Sequence, residues 1–279
     1  MPFKSATFAA ALALTAFTGA AAHAGEKDIS KITTIGGSCP SCQLTGKKLT
    51  GANFHGGNFN AAVLISADLR GASFTSVSFS SADFTRADLR SSTMIGCNFT
   101  AAVFRDSRMD GLEAPGGNFM SANLARAKLT SAELVGANFR GAVVTDANFG
   151  NAELMGANFS SAEGHRANFT GAEMVGANLT GGAFNRASFR NAELVGANMS
   201  SGSFDGADFT GAELNHAKLR GASLAGARGL TQDQIDEACT DASTSLPRGI
   251  VSRGCKGAKI TVRIPRAPRP PAPPKPPRY

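Results

Sequence analysis

Large apolar side chains fall on a five-residue grid along most of this chain. From 44 to 224, positions 5n+4 run 37 steps without insertion or deletion and hold 16 Phe, 14 Leu, 4 Met and Val144, with only Ala114 and Gly164 small. Two residues before these centres, 26 of 37 positions are Ala, so the unit reads Ala-(Asn/Asp/Glu/Ser)-(Phe/Leu)-x-x. On an α-helix, residues five apart are rotated by about 140° and the centres would spiral to all sides. On a flat strand, an odd step sends successive centres to opposite faces. A chain that turns a corner every five residues aims each centre at one axis. A short gapless period with one apolar site per unit therefore predicts a solenoid.

The coil size follows from a second recurrence. AELVGANF at 132–139 returns as AELMGANF at 152–159, AEMVGANL at 172–179 and AELVGANM at 192–199. Glu113, Glu133, Glu153, Glu173, Glu193 and Glu213 are 20 apart, as are Phe59, Phe79, Phe99, Phe119, Phe139 and Phe159. Four units make a coil, so residues 20 apart stack. Roughly nine coils at about 4.8 Å per stacked strand give a rod of ~45 Å.

These units resemble the pentapeptide-repeat family, whose motif is A(D/N)Lxx. The resemblance implies an all-β fold, a right-handed quadrilateral parallel β-helix. It also implies that each centre and the Ala two residues earlier face inward and the other three positions face water. Three positions depart from the pattern. At Leu112-Glu113-Ala114 the large and small residues are exchanged, and Leu112 is expected to fill the space Ala114 leaves. Gly164 lacks such compensation, which predicts a thin spot or small cavity. Pro115 must occupy a corner or an unpaired position.

The ends differ from the repeats. Residues 1–24 read as a secretory signal: Lys4, an apolar stretch over 6–17 and the small-x-small site Ala22-His23-Ala24. An uncleaved anchor is the alternative, but a bilayer needs about 20 apolar residues. Export to a bacterial periplasm or beyond is expected, with cleavage after Ala24. Residues 25–43 are read as an N-terminal cap, 44–228 as the β-helix and 229–258 as a C-terminal cap. In that last segment Thr231 and Gln234 form a capping box, Leu230 and Ile235 a hydrophobic staple, and a helix is predicted over 231–240. The closing stretch also looks like the segment that follows the repeats in exported members of the family.

An oxidising compartment suits two cysteine pairs, Cys39 with Cys42 and Cys239 with Cys255. Cys97, at an inward Ala position, is expected to be a buried thiol. Cys39-Pro-Ser-Cys42 could alternatively be a redox centre, a haem site or half a zinc site. Gln43 replaces the His that haem attachment needs, redox motifs normally open a helix, and the other cysteines belong to the opposite end.

The formal charge of +7 is segregated. Nine Lys/Arg and no acid lie from 248 onward, whereas 25–247 hold 18 Lys/Arg against 21 Asp/Glu, a net −3. The proline-rich segment 259–279 is read as a disordered or polyproline-like tail. Its Arg263, Arg266, Arg269, Lys275 and Arg278 are candidates for a tether to an anionic envelope surface, the alternative being a solvated end with no partner.

Enzyme signatures are not found. His55, His165 and His216 fall on different columns of the coil, and no phosphate loop, metal cluster or paired acid is placed for chemistry. No cofactor or metal is expected, nor a specific nucleic acid or a membrane span in the mature chain. The candidate interaction face carries Glu133, Glu153, Glu173, Glu193 and Glu213 beside an outward apolar column, Val135, Met155, Val175 and Val195, with Gly136, Gly156, Gly176 and Gly196 keeping the corner bare. Duplication of a coil, with Val suiting a strand, would also produce this pattern. The expected function is a non-enzymatic exported scaffold or interaction protein of the cell envelope, with self-association among the options. The alternative that the family resemblance supplies is a DNA mimic that binds gyrase. A net −3 and an export signal both weigh against it.

Overall fold

The structure is a computed structural model that describes residues 39–255. The signal reading, cap residues 25–38 and the tail from 256, with Arg263, Arg266, Arg269, Lys275 and Arg278, lie outside the described residues. The chain forms a parallel β-helix in which residues 20 apart pair as parallel bridges, for example Glu133 with Glu153 and Asn138 with Asn158. On one face near the start the pairing lengthens into strands β1 (Asn53–Asn58), β2 (Ser73–Ser78) and β3 (Thr93–Ile95), in the order β1-β2-β3.

Each pentapeptide closes the same set of bonds. In one unit Phe139 N–H donates to Asn158 O (2.7 Å), Gly141 N–H to Ser160 O (2.9 Å), Ala142 N–H back to Phe139 O (3.0 Å) and Val143 N–H to Ala122 O (2.9 Å). Where Asn or Asp stands just before the centre, its side-chain oxygen typically accepts from the fifth amide, just after the centre. Ser160 N–H reaches Asn158 Oδ1 (3.0 Å), and Thr85 N–H reaches Asp83 Oδ1 (2.8 Å). The Asn/Asp preference thus has a structural cause, the local side-chain-to-backbone turn bond. Pro115 sits at this fifth position, where no ladder amide is lost, in a turn closed by Gly117 N–H to Ala114 O (3.0 Å).

The corners explain the next position. All 37 residues at 5n+1 from 41 to 221 have φ between 53° and 69°, 20 of them not glycine. This left-handed geometry is what position i+2 of a type II turn requires. None of the 20 is β-branched, the class for which it is most costly.

The core is four columns of inward side chains. Phe139 and Phe159 stack with centroids 4.6 Å apart and planes within 8°, and Phe149, Phe169, Phe189 and Phe209 repeat at 5.1 Å on another column. Each fully buried Phe contributes about 1.5–3 kcal/mol of transfer free energy, and stacked neighbours add about 0.5–1.5 kcal/mol per pair. Leu112 and Ala114 are both fully buried, so the exchanged pair fills the axis from either inward site. The thin spot expected at Gly164 is absent, because the Phe184 ring leans into it. A Cβ on Gly164 would collide with Phe184 Cδ1 and Cε1 and approach Val144 Cγ2 to 3.3 Å. A neighbouring ring, one coil on, takes up the volume that the missing side chain leaves.

Helix α1 (Gln232–Glu237) closes the far end, with the Thr231–Gln234 capping box in place. It is shorter than the span 231–240 because Cys239 leaves the helix to pair with Lys218 on the last coil. Gln234 also reaches beyond its own helix. Its Nε2 donates to Ala212 O (2.7 Å), an edge carbonyl that no further coil covers, and adds a second bond to Phe209 O (3.1 Å), which already accepts the turn bond from Ala212 N–H (3.0 Å). Ile235 is buried, with Leu230 packed against the core.

Candidate functional site

The glutamate face is built on the column that starts with Asn53, Ser73 and Thr93 and continues as Glu113, Glu133, Glu153, Glu173, Glu193 and Glu213. Parallel bridges join each glutamate to the next. Strand spacing sets successive carboxylates about 4.8 Å apart at the backbone. Glu133 is half-buried and the other five are exposed. Burial, then the neighbouring Glu153 and Glu113, push the Glu133 carboxyl above its ordinary value. Thr93 Oγ1 donates to Glu113 Oε2 (3.1 Å). Among the described residues no ion pair reaches the ladder, and the ion pairs of the structure use aspartates instead.

The ladder stands at the position where Asn or Asp closes the turn bond. Glu makes no such bond to the amides of Val135, Met155, Val175 or Val195, although Asn138, Asn158 and Asn178 on the adjacent face each make one. Val63, Val103, Val143, Arg108 and Lys128 on other faces lack this bond as well, so what sets this face apart is six like charges in register on successive coils. Like charges directly opposite on paired strands repel, so the row does not help the fold.

The apolar column beside the ladder differs from the expected exposed stripe. Val135 is 8 % exposed, Pro115 is also buried, and Met155, Val175 and Val195 are half-buried. Strand spacing is close enough that each side chain covers the next. The large apolar residues exposed among the described ones are Met120 and Val251, both elsewhere. The corner itself is bare: Gly136, Gly156, Gly176 and Gly196 hold φ of 64° to 66°. The face is therefore a flat acidic sheet with a recessed apolar border.

Charge on another corner escaped the sequence reading. Arg86, Asp106, Arg126, Asp146, Arg166 and Arg186 stack 20 apart at the left-handed position. Arg126 Nε pairs with Asp106 Oδ1 (2.6 Å), and Arg166 Nε with Asp146 Oδ1 (2.7 Å). The same 20-residue count, applied to the fifth-plus-one position, would have found them. Elsewhere Arg70 and Arg90 line a shallow depression but are tied to Asp68 (2.7 Å) and Asp88 (2.6 Å).

The cysteines lie at the two ends. Cys39 and Cys42 are joined, with Cα atoms 5.4 Å apart, beside the first coil, and Cys239 and Cys255 are joined, with Cα atoms 4.2 Å apart, beyond the last. Cys97 is buried, and desolvation pushes its thiol up to about 12. His55, His165 and His216 stand on separate positions of the helix and do not converge on one site. No helix among the described residues is long and apolar enough to cross a membrane.

The profile of the family described as Pentapeptide repeats matches residues 42–80, 82–119, 122–160, 145–181, 167–206 and 187–226. No curated protein matches by sequence. Among solved structures, HetL, a pentapeptide repeat protein involved in heterocyst differentiation regulation from the cyanobacterium Nostoc sp. strain PCC 7120, has a TM-score of 0.62 at 23% identity, covering 74% of this chain and 92% of its own. QnrB1, a plasmid-mediated fluoroquinolone resistance protein, gives 0.30 at 20% identity over 75% and 90%. A pentapeptide repeat protein of the Arabidopsis thaliana thylakoid lumen gives 0.20 at 26% identity over 51% and 81%. Of these three, HetL alone exceeds a TM-score of 0.5, and at its identity it bears on the fold alone. With inward centres on a gapless five-residue register and the family profile matching most of its length, this chain belongs to the pentapeptide-repeat family.

Proposed function

We propose that this protein is a non-enzymatic scaffold of the cell envelope, exported through its N-terminal segment, that docks a partner protein on its glutamate face. The observation that carries the reading is the in-register row of Glu on six successive coils. Like charges at strand spacing repel, and the row presents pitch-regular carboxylates that no ion pair among the described residues neutralises. A rigid rod with joined cysteines at both ends suits a ruler-like support, on which the spacing of charges rather than a cleft provides specificity. Stability accumulates coil by coil in such a solenoid, so a long flat surface is held without a large globular core.

The DNA-mimic alternative requires negative charge around the whole circumference. Here the acids of the ladder occupy one face, while another corner holds Arg86, Arg126, Arg166 and Arg186 against only Asp106 and Asp146. The envelope reading therefore stands ahead of it.

The test combines fractionation with partner capture. The protein is expected in the periplasm, trimmed after Ala24. Replacing Met155, Val175 and Val195 with Lys is expected to abolish cross-linking to its envelope partner while leaving the fold intact by circular dichroism. A cytoplasmic, untrimmed protein would end the export reading. Unchanged cross-links and unchanged oligomeric state would end the docking reading.

A further inference from the structure

The C-terminal segment carries a period of its own. From 263 it reads Arg-Ile-Pro, Arg-Ala-Pro, Arg-Pro-Pro, Ala-Pro-Pro, Lys-Pro-Pro, Arg-Tyr, with a cation opening five of six triplets and no acid among them. In a polyproline II helix, with three residues per turn and a rise of about 3.1 Å per residue, this spacing would put the cations on one side at intervals of ~9.3 Å. The glutamate ladder repeats at about 4.8 Å per coil, so every second carboxylate lies ~9.6 Å from the last. The two periods agree to a few tenths of an ångström per step.

We infer that the glutamate face is a docking site for this chain's own tail, with Arg263, Arg266 and Arg269 set against alternate carboxylates of the ladder. The inference rests on the same face as the proposed function and names a competitor for it. Connectivity places the tail close by. Cys255 is joined to Cys239, whose backbone pairs with Lys218, one pentapeptide beyond Glu213 on the same coil. The eight residues from Cys255 to Arg263 reach at most about 26–29 Å when extended, which is ample to turn one corner. The tail then runs back along the ladder from Glu213 toward Glu133. Charge complementarity is one-sided on both partners: the ladder has no ion pair among the described residues, and the tail brings cations only. Being attached, the tail competes at a high effective concentration. A partner that takes the face must displace it, which makes docking salt-sensitive and reversible.

The experiment uses the full chain carrying Ala267→Cys. Cys97 is buried and does not compete for the label. With a nitroxide at 267 and ~25 mM salt, screening extends ~20 Å. Amide signals at 153–156, 173–176 and 193–196 are then expected to broaden severalfold more than those of the opposite face. The effect should fade in ~0.5 M salt, where the screening length falls to a few ångströms. It should vanish in Glu153→Gln/Glu173→Gln/Glu193→Gln, which keeps side-chain size. It should weaken at least severalfold when Arg266→Ala/Ala267→Arg moves one cation off the three-residue period, with the label then at Ile264→Cys. Broadening that is absent, equal on all faces, or retained in the Gln variant overturns the inference. So does equal broadening between a labelled and a separate isotope-enriched copy, which would make the contact intermolecular. So does salt-sensitive sedimentation with anionic vesicles in the absence of any broadening on this face. If the tail contact fails while the Met155, Val175 and Val195 substitutions still abolish partner cross-links, the docking reading survives and only the tail is excluded.

Discussion

At the residue scale, each position of the pentapeptide answers one geometric demand. The centre and the residue two before it fill the axis, the Asn or Asp between them ties the turn, and the residue two after the centre accepts a left-handed backbone. Substitutions should separate these roles. Asn158 accepts from Ser160 N–H and Asn178 Nδ2 and donates to Asn138. Asn158→Ala is expected to cost ~1–2 kcal/mol in urea unfolding, since three part-buried hydrogen bonds go and water replaces them in part. Glu173→Gln, by contrast, removes only repulsion and should be neutral or slightly stabilising. Gly164→Leu inverts the intuition from sequence, in which a missing centre invites filling. With Phe184 already in that volume, the larger residue overpacks and should destabilise by about 1–3 kcal/mol. The double variant Gly164→Leu/Phe184→Leu should recover most of that loss.

At the element scale, the end matters more than its six residues of helix indicate. Gln234 completes the capping box and donates to two carbonyls of the last coil. Gln234→Ala is expected to cost ~1–3 kcal/mol, because the Ala212 carbonyl is left unmet, and to raise amide exchange first at 209–217. Reducing the bond between Cys239 and Cys255, which closes a 16-residue separation, should lower stability by about 3 kcal/mol. That loss should appear in the same terminal coils, whereas the central coils should keep their protection. The capping box was legible in the sequence because it is a local motif. The bonds from Gln234 to the last coil were not, since they depend on which carbonyls that coil leaves open.

At the scale of the whole molecule, the charge map predicts an acid profile. The Glu133 carboxyl is raised in the folded state, so the fold binds its proton more readily than the unfolded chain. Its contribution to stability improves as pH falls through its folded pKa toward 4.5, its ordinary value. Asp68, held at about 2 by hydrogen bonds from Arg70, and Asp241, held at about 2 by Ser243, behave oppositely. The stability they lend is complete above 3.8, their ordinary value, and is lost as pH falls toward 2. The thermal midpoint is therefore expected to rise slightly from pH 7 to about 4.5 and to drop between about 3.8 and 2, as followed by circular dichroism. In Glu133→Gln the rise should shrink while the acid drop remains.

The sequence by itself determined the register, the coil size, the inward pair of positions and the row of glutamates. All of these follow from counting by five and by twenty, because a gapless repeat converts sequence distance directly into spatial position. Only the tertiary structure decided that Phe184 occupies the space at Gly164, that Val135 is covered while its neighbour Glu153 is exposed, and that Cys239 ends the helix by joining the last coil. Each of these depends on how a side chain or an edge meets a neighbour one coil away. The period locates that neighbour, but its ring angle, its coverage and its free carbonyls are set by packing.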